Sequence, residues 1–129
     1  MRYMLDTNII SLLMRRQPGV TARLAGIGVE QVCISAVTAG EVYYGLAKRP
    51  SENRTRAVSQ LFQLLRVLPW DDRVAVTYGQ VRAQLMTQGQ PLGLLDMQIA
   101  AHALAEDTII VTNDQAFARV PGLRVEDWS

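Results

Sequence analysis

Four carboxylates are the residues of this sequence best placed to do chemistry: Asp6, Glu41, Asp96 and Asp114. Asp6 ends the short apolar run Arg2-Tyr3-Met4-Leu5, and Asp114 lies two residues past the β-branched run Thr108-Ile109-Ile110-Val111-Thr112. Glu41 falls in the helical stretch after Val32-Cys33-Ile34, and Asp96 opens another after the turn Pro91-Leu92-Gly93. With one histidine and one cysteine in the chain, nucleophile–base pairs are almost unavailable. Four acids delivered to one place repel one another unless cations sit between them. Oxygen donors without accompanying Cys or His select Mg²⁺ or Mn²⁺ rather than Zn²⁺. Two such ions, about 3.5–4 Å apart, activate water and stabilise the leaving oxygen in phosphodiester cleavage without any side-chain nucleophile.

The elements that must position these acids follow from periodicity. Strands are expected at Arg2–Leu5, Val32–Ile34, Val67–Leu68, Thr108–Thr112 and Leu123–Val125. Thr108–Thr112 is apolar on both faces, as a central parallel strand should be. Helical spacing predicts helices over Ile9–Leu13, Val20–Ala25, Val37–Leu46, Asn53–Leu65, Val74–Met86 and Asp96–Ala105, with a helical turn at Gln115–Ala118. The breaks at Gln17-Pro18-Gly19, Arg49-Pro50-Ser51 and Gly89-Gln90-Pro91 are too short for interdomain linkers. Strands alternating with helices build βαβ units, hence an α/β domain with an open, mostly parallel sheet and helices on both faces. In such a sheet the strand C-termini share one edge, and ligands bind there at the topological switch point. That edge is the address common to the four acids.

Composition bounds the rest. The 129 residues are 49% apolar and 19% charged, which describes one globular domain over 1–129 with a single real core. Thirteen bases, twelve of them Arg, face twelve acids for a net charge of +1. That excludes an acidic solvating tail and a strongly basic nucleic-acid coat. Cys33 has no intrachain partner, so a reducing, cytoplasmic setting is the simpler expectation. Arg2 and Asp6 interrupt any signal-peptide-like stretch, and no apolar run approaches a membrane span.

Each acid also has a purely local reading. Asp6 and Asp96 suit helix N-caps, and Thr38-x-x-Glu41 fits a capping box. Asn113-Asp114 suits a turn before a short helix. Asp71-Asp72 reads as the start of a helix after Pro69-Trp70. His102 lies about 240° around its helix from Asp96, so it faces away from the acid edge. Cys33 reads as a small buried hydrophobe. Tyr43 and Tyr44 suit base stacking or a dimer partner, and Trp128 pins the tail to the core. The start Asp6-Thr7-Asn8 invites comparison with aspartyl-phosphate phosphatases, but Asn8 stands where those need a second Asp.

At this point the residues match a family. Met4-Leu5-Asp6-Thr7-Asn8-Ile9-Ile10, then Ile34-Ser35-Ala36-Val37-Thr38-Ala39-Gly40-Glu41, resemble the start of PIN-domain ribonucleases. The likeness continues through Tyr78-Gly79-Gln80-Val81-Arg82-Ala83, Gly93-Leu94-Leu95-Asp96-Met97-Gln98-Ile99-Ala100-Ala101-His102-Ala103 and Val111-Thr112-Asn113-Asp114 to Phe117-Ala118-Arg119-Val120-Pro121-Gly122-Leu123. The ordered set is most similar to VapC-type toxins of bacterial toxin–antitoxin pairs and covers essentially the whole chain. The resemblance implies a PIN-like three-layer α/β/α sandwich and a metal-dependent endoribonuclease acting on tRNA or another structured RNA. It implies Asp6, Glu41, Asp96 and Asp114 as the Mg²⁺ or Mn²⁺ ligands, with Asn8 and Thr112 as polar helpers around the metal pocket. It further implies a homodimer, possibly within a higher toxin–antitoxin assembly, and a cognate VapB-type antitoxin whose C-terminal segment lies in the groove.

Two rival classes remain beside that one. A catalytically silent PIN-like binding module would show a broken quartet, whereas here all four acids are present. A metal-dependent DNA nuclease usually carries long insertions for which 129 residues leave little room. Substrate binding needs positive charge beside the acids. Arg15, Arg16 and Arg23 flank one turn, and Lys48, Arg49, Arg54 and Arg56 flank another, so these seven are expected to line the RNA path. Without the quartet, 13 bases face 8 acids, which recasts the net charge as an acidic pocket in a mildly basic surface.

Overall fold

Alternation along three short buried strands sets the layering. In the computed structural model, which describes residues 2–129, β1 (Tyr3–Leu5), β2 (Val32–Ser35) and β4 (Ile109–Val111) divide their side chains between two faces. Met4, Cys33 and Ile110 point to one face, where α5 (Asp72–Thr87) and α6 (Leu94–Ala105) cover them with Val81, Leu85, Met97 and Ala100. Tyr3, Leu5, Val32, Ile34, Ile109 and Val111 point to the other, onto Ile9, Ile10, Val20 and Leu65. Those partners come from or adjoin α1 (Thr7–Met14), α2 (Pro18–Ile27) and α4 (Glu52–Leu64), and Ala39 of α3 (Ala36–Lys48) joins them. Period-two alternation between two apolar layers demands this three-layer arrangement.

The five described strands, including β3 (Arg66–Leu68) and β5 (Arg124–Glu126), form one sheet in the order β3-β2-β1-β4-β5. Every pairing is parallel. The chain winds outward from β1 through β2 to β3, then crosses back through α5 and α6 to start again at β4. The switch point therefore lies between β1 and β4, where Leu5 pairs with Val111. The residues that follow these two strands, Asp6 and Thr112, thus emerge side by side. Asp6 N donates to the Val111 carbonyl at 3.0 Å.

The helix starts are built locally. Asp71 caps α5 by accepting from Val74 N at 3.0 Å, and Ser51 caps α4 through Arg54 N. Helix α3 begins at Ala36 under a Ser35 cap, so the capping-box reading of Thr38 and Glu41 is corrected. Ser35 ends β2 with its hydroxyl already turned to Val37 N, which sets the cap three residues before Thr38. Asp96 is likewise not an N-cap: Gly93 holds that place without a side-chain bond, and Asp96 sits in the first turn. At the far end Trp128 is buried edge-on against Tyr3, ring centroids 5.2 Å apart. No helix among the described residues is long and apolar enough to cross a membrane.

Candidate active site

Asp6 has two local jobs besides any chemistry. It leaves the buried end of β1 and caps α1, its Oδ1 accepting from Ile9 N at 2.9 Å. Thr112 leaves β4 beside it. The Thr112 hydroxyl accepts from Asp114 N at 3.0 Å, and its own proton faces the Asp6 carboxylate. Asp114 in turn caps a short 3₁₀ turn (Gln115–Arg119), accepting from Ala116 N at 2.9 Å. The cap and turn readings of Asp6 and Asp114 are thus true together with their arrival at one edge.

Glu41 reaches the edge from α3 and is held there by a residue the sequence reading passed over. Thr7 Oγ1 donates to Glu41 Oε1 at 2.7 Å, joining the first residue of α1 to the middle of α3. The available signal was adjacency, since the residue after a strand-ending Asp begins the next helix at the same edge. Asn8, one position further, is exposed, and no hydrogen bond from its side chain is seen among the described residues.

Electrostatics tie the quartet together. Burial pushes the Asp6 carboxyl above its ordinary value, and the charges of Asp96 and Asp114 push it the same way. The Thr112 hydroxyl and Ile9 N–H pull it partly back. Asp96 is also raised, first by burial and then by Asp114 and Glu41. Asp6 therefore feels the charges of Asp96 and Asp114, and Asp96 those of Asp114 and Glu41. Among the described residues no three acids converge closely enough to clasp one ion in these side-chain positions. Nor does any ion pair among those residues use a member of the quartet.

Of the seven predicted RNA-path bases, the structure brings four together. Arg15, Lys48, Arg49 and Arg54 line a groove of about 620 Å³ between α1, α3 and α4, with Thr7 and Glu41 also in its wall. Its apolar lining includes Ile10, Met14, Val42 and Leu46. Arg16 and Arg56 are exposed outside that lining. Arg23 is engaged elsewhere, 3.0 Å from Glu126 and over the Trp128 ring. Cys33 is buried and its thiol pushed up to about 12, so it is no nucleophile. His102 is fully buried, away from the acids.

Comparison with known proteins agrees with this geometry. The PIN domain model matches residues 3–123. A tRNA(fMet)-specific endonuclease VapC of Shigella flexneri is 40% identical, the match spanning 100% of this chain and 99% of that protein. The protein of the same description from Salmonella typhimurium is 36% identical over 99% and 98%. A crystal structure of DNA-bound VapBC from Salmonella typhimurium superposes with a TM-score of 0.93 at 35% identity, covering 100% of this chain and 99% of that one. The chain belongs to the PIN-domain family, among its VapC-type toxin ribonucleases.

Proposed function

We propose that this ribonuclease hydrolyses a phosphodiester of a tRNA, the initiator tRNA first among candidates, at the Asp6–Glu41–Asp96–Asp114 edge. The substrate reading is supported by full-length relatives described as tRNA(fMet)-specific. One observation carries the site. Four carboxylates from separate segments lie toward the switch point, burial and neighbouring quartet charges raise the proton affinity of Asp6 and Asp96, and no base of their own chain is paired to the four among the described residues. Such an uncompensated field calls for a cation from outside.

The donor set fits a hard divalent ion: carboxylates and the Thr112 hydroxyl, with no thiolate or imidazole beside them. Asp6, Glu41, Asp96 and Asp114 would hold Mg²⁺ or Mn²⁺. When bound, the cation supplies charge neutralisation on the phosphate and activation of water. The chain's own residues orient the donors. Ile9 N–H holds Asp6 Oδ1, Thr7 holds Glu41 Oε1, and Ala116 N–H holds Asp114 Oδ1. Arg15, Lys48, Arg49 and Arg54 draw the phosphate chain along the groove that Glu41 borders.

The same groove suits a VapB-type antitoxin segment, with its apolar floor for the segment's side chains and Glu41 for a basic one. Solved neighbours that are VapBC complexes support that partner. The reading places the pair in the cytoplasm and the nuclease in a homodimer, for which the exposed Tyr43 and Tyr44 offer apolar surface. The test is cleavage of purified tRNAs in Mg²⁺, with Asp6→Asn and Asp96→Asn as controls. Loss of cleavage in both variants and in EDTA is expected; undiminished cleavage in EDTA overturns the reading.

A further inference from the structure

Helix α6 buries Met97, Ile99, Ala100, Ala101 and Ala103, and amid these apolar residues it also buries His102 completely. A buried imidazole is costly unless it is bonded. The bond it makes reaches a different element. His102 Nδ1 lies 2.7 Å from Ser35 Oγ, the hydroxyl that ends β2 and caps α3 through Val37 N at 3.0 Å. The other ring nitrogen, Nε2, has no hydrogen-bond partner among the described residues; Glu106 Oε1 lies 3.9 Å from it, and the Pro69 backbone is also beside the ring. Trp70 packs edge-on over the ring at 5.6 Å. Asp71 and Arg73, at the start of α5, complete the charged groups around it, Arg73 pairing with Glu106.

The neighbours favour one arrangement of the protons. Burial holds the imidazole neutral by pushing its pKa below the ordinary value. A neutral ring carries one N–H, which on Nε2 would lie toward Glu106 Oε1. Nδ1 is then bare and accepts from the Ser35 O–H. That leaves a Ser35 lone pair for Val37 N–H, so the hydroxyl is used in both directions. Asp96 stands six positions before His102 on α6, and Glu41 six positions beyond Ser35 on α3.

We propose that His102 is a positioning residue of the nuclease site, which through Ser35 ties the start of α3 to α6 and so fixes Glu41 relative to Asp96. The role rests on the reading of the acid quartet as the active site. It explains why a histidine occupies a position whose buried neighbours on α6 are all apolar. Because RNA is gripped at the groove and not here, the role bears on turnover and leaves substrate binding alone.

His102 is the only histidine in the chain, so ¹⁵N-imidazole NMR of the wild type reads it without assignment. A neutral ring protonated on Nε2 at pH 7 is expected; a charged ring, or one protonated on Nδ1, overturns the proposal. His102→Leu, apolar and of similar volume, should lower kcat roughly tenfold with KM for the tRNA unchanged. His102→Asn, whose amide reaches the Nδ1 position, should restore most of that loss. Equal kcat in wild type and the Leu variant, or equal impairment of the Leu and Asn variants, overturns it. Should the Leu variant fail to fold, the NMR result and the Asn variant decide. Undiminished cleavage by Glu41→Gln would instead sink the site reading itself, whatever the tautomer.

Discussion

Thr7→Val removes one hydroxyl while keeping the β-branched shape that starts α1. What it deletes is the 2.7 Å bond from Thr7 Oγ1 to Glu41 Oε1, at a half-buried position. A hydrogen bond to a charged acceptor contributes about 1.5–3 kcal/mol, and partial solvent access favours the lower end. Because about 1.4 kcal/mol is a factor of ten in rate, a bond that secures Glu41 for turnover should cost roughly tenfold in kcat. The same loss should lower the melting temperature by about 3–6 °C for a chain of this size. The assay is steady-state cleavage of initiator tRNA at fixed Mg²⁺, alongside thermal melts. Thr7→Ser keeps the hydroxyl and should cleave at the wild-type rate. In a Glu41→Ala background the valine substitution should cost almost no further stability, since its partner is gone. Wild-type turnover by Thr7→Val, or an undiminished stability cost in that background, would refute the reasoning.

Other expectations follow from the same geometry. Asp6→Asn keeps the α1 cap, since Asn caps as well as Asp, yet should reduce cleavage at least roughly a hundredfold. An acid whose folded pKa is raised contributes its stability below the unfolded value of 3.8 and loses it as pH climbs through the folded one. In EDTA at pH 7 the Asn variant should therefore melt at or above the wild type, and a clear drop would contradict the burial argument. His102 has the opposite sign. Its lowered pKa means that stability is complete above the unfolded value of 6.5 and is lost as pH falls toward the folded one. Wild type minus His102→Asn melts between pH 7.5 and 5.5 should show that slope. Replacing Arg15, Lys48, Arg49 and Arg54 by Gln should weaken tRNA binding and flatten its salt dependence by roughly 0.7 per lost contact. Arg23→Gln should leave that slope intact and loosen the tail at Trp128.

The layering and the parallel sheet were accessible from the chain because strands alternate with helices and the helices carry apolar stripes; the strand order was not. Val32–Ile34 and Ile109–Val111 have no polar face to confuse the assignment, so a parallel sheet was the economical solution. Asp6 and Asp114 were legible as edge residues because each directly follows a strand or nearly so. The start of α3 was harder. Ser35 serves both the strand and the cap, and the S/T-x-x-E pattern three residues later offers a competing start with the right residue types. Thr7 escaped notice because a donor is recognised only when its acceptor is known to lie across the fold, 34 residues away. The basic residues misled for a related reason: neighbours around a turn need not face the same way, and Arg23 turns toward Glu126.

How the fold tolerates four like charges follows from where each one enters. Asp6 caps α1, Asp114 caps the 3₁₀ turn, and Asp96 lies in the first turn of α6. Helix N-termini carry unsatisfied N–H groups and partial positive charge, so they stabilise carboxylates even where no base is paired. The short 3₁₀ turn offers Asp114 little of the macrodipole but still supplies the Ala116 N–H. Glu41 is the exception. It is the sixth residue of α3, past the reach of that helix's free N–H groups. It is also the member that takes a hydroxyl from another element, Thr7, itself the first residue of α1. One strand end thus serves two acids, Asp6 directly and Glu41 through the adjoining threonine. On this account Thr7 and Glu41 form a coupled unit within the quartet, and removing Thr7 should disturb Glu41 while leaving the caps at Asp6 and Asp114 intact.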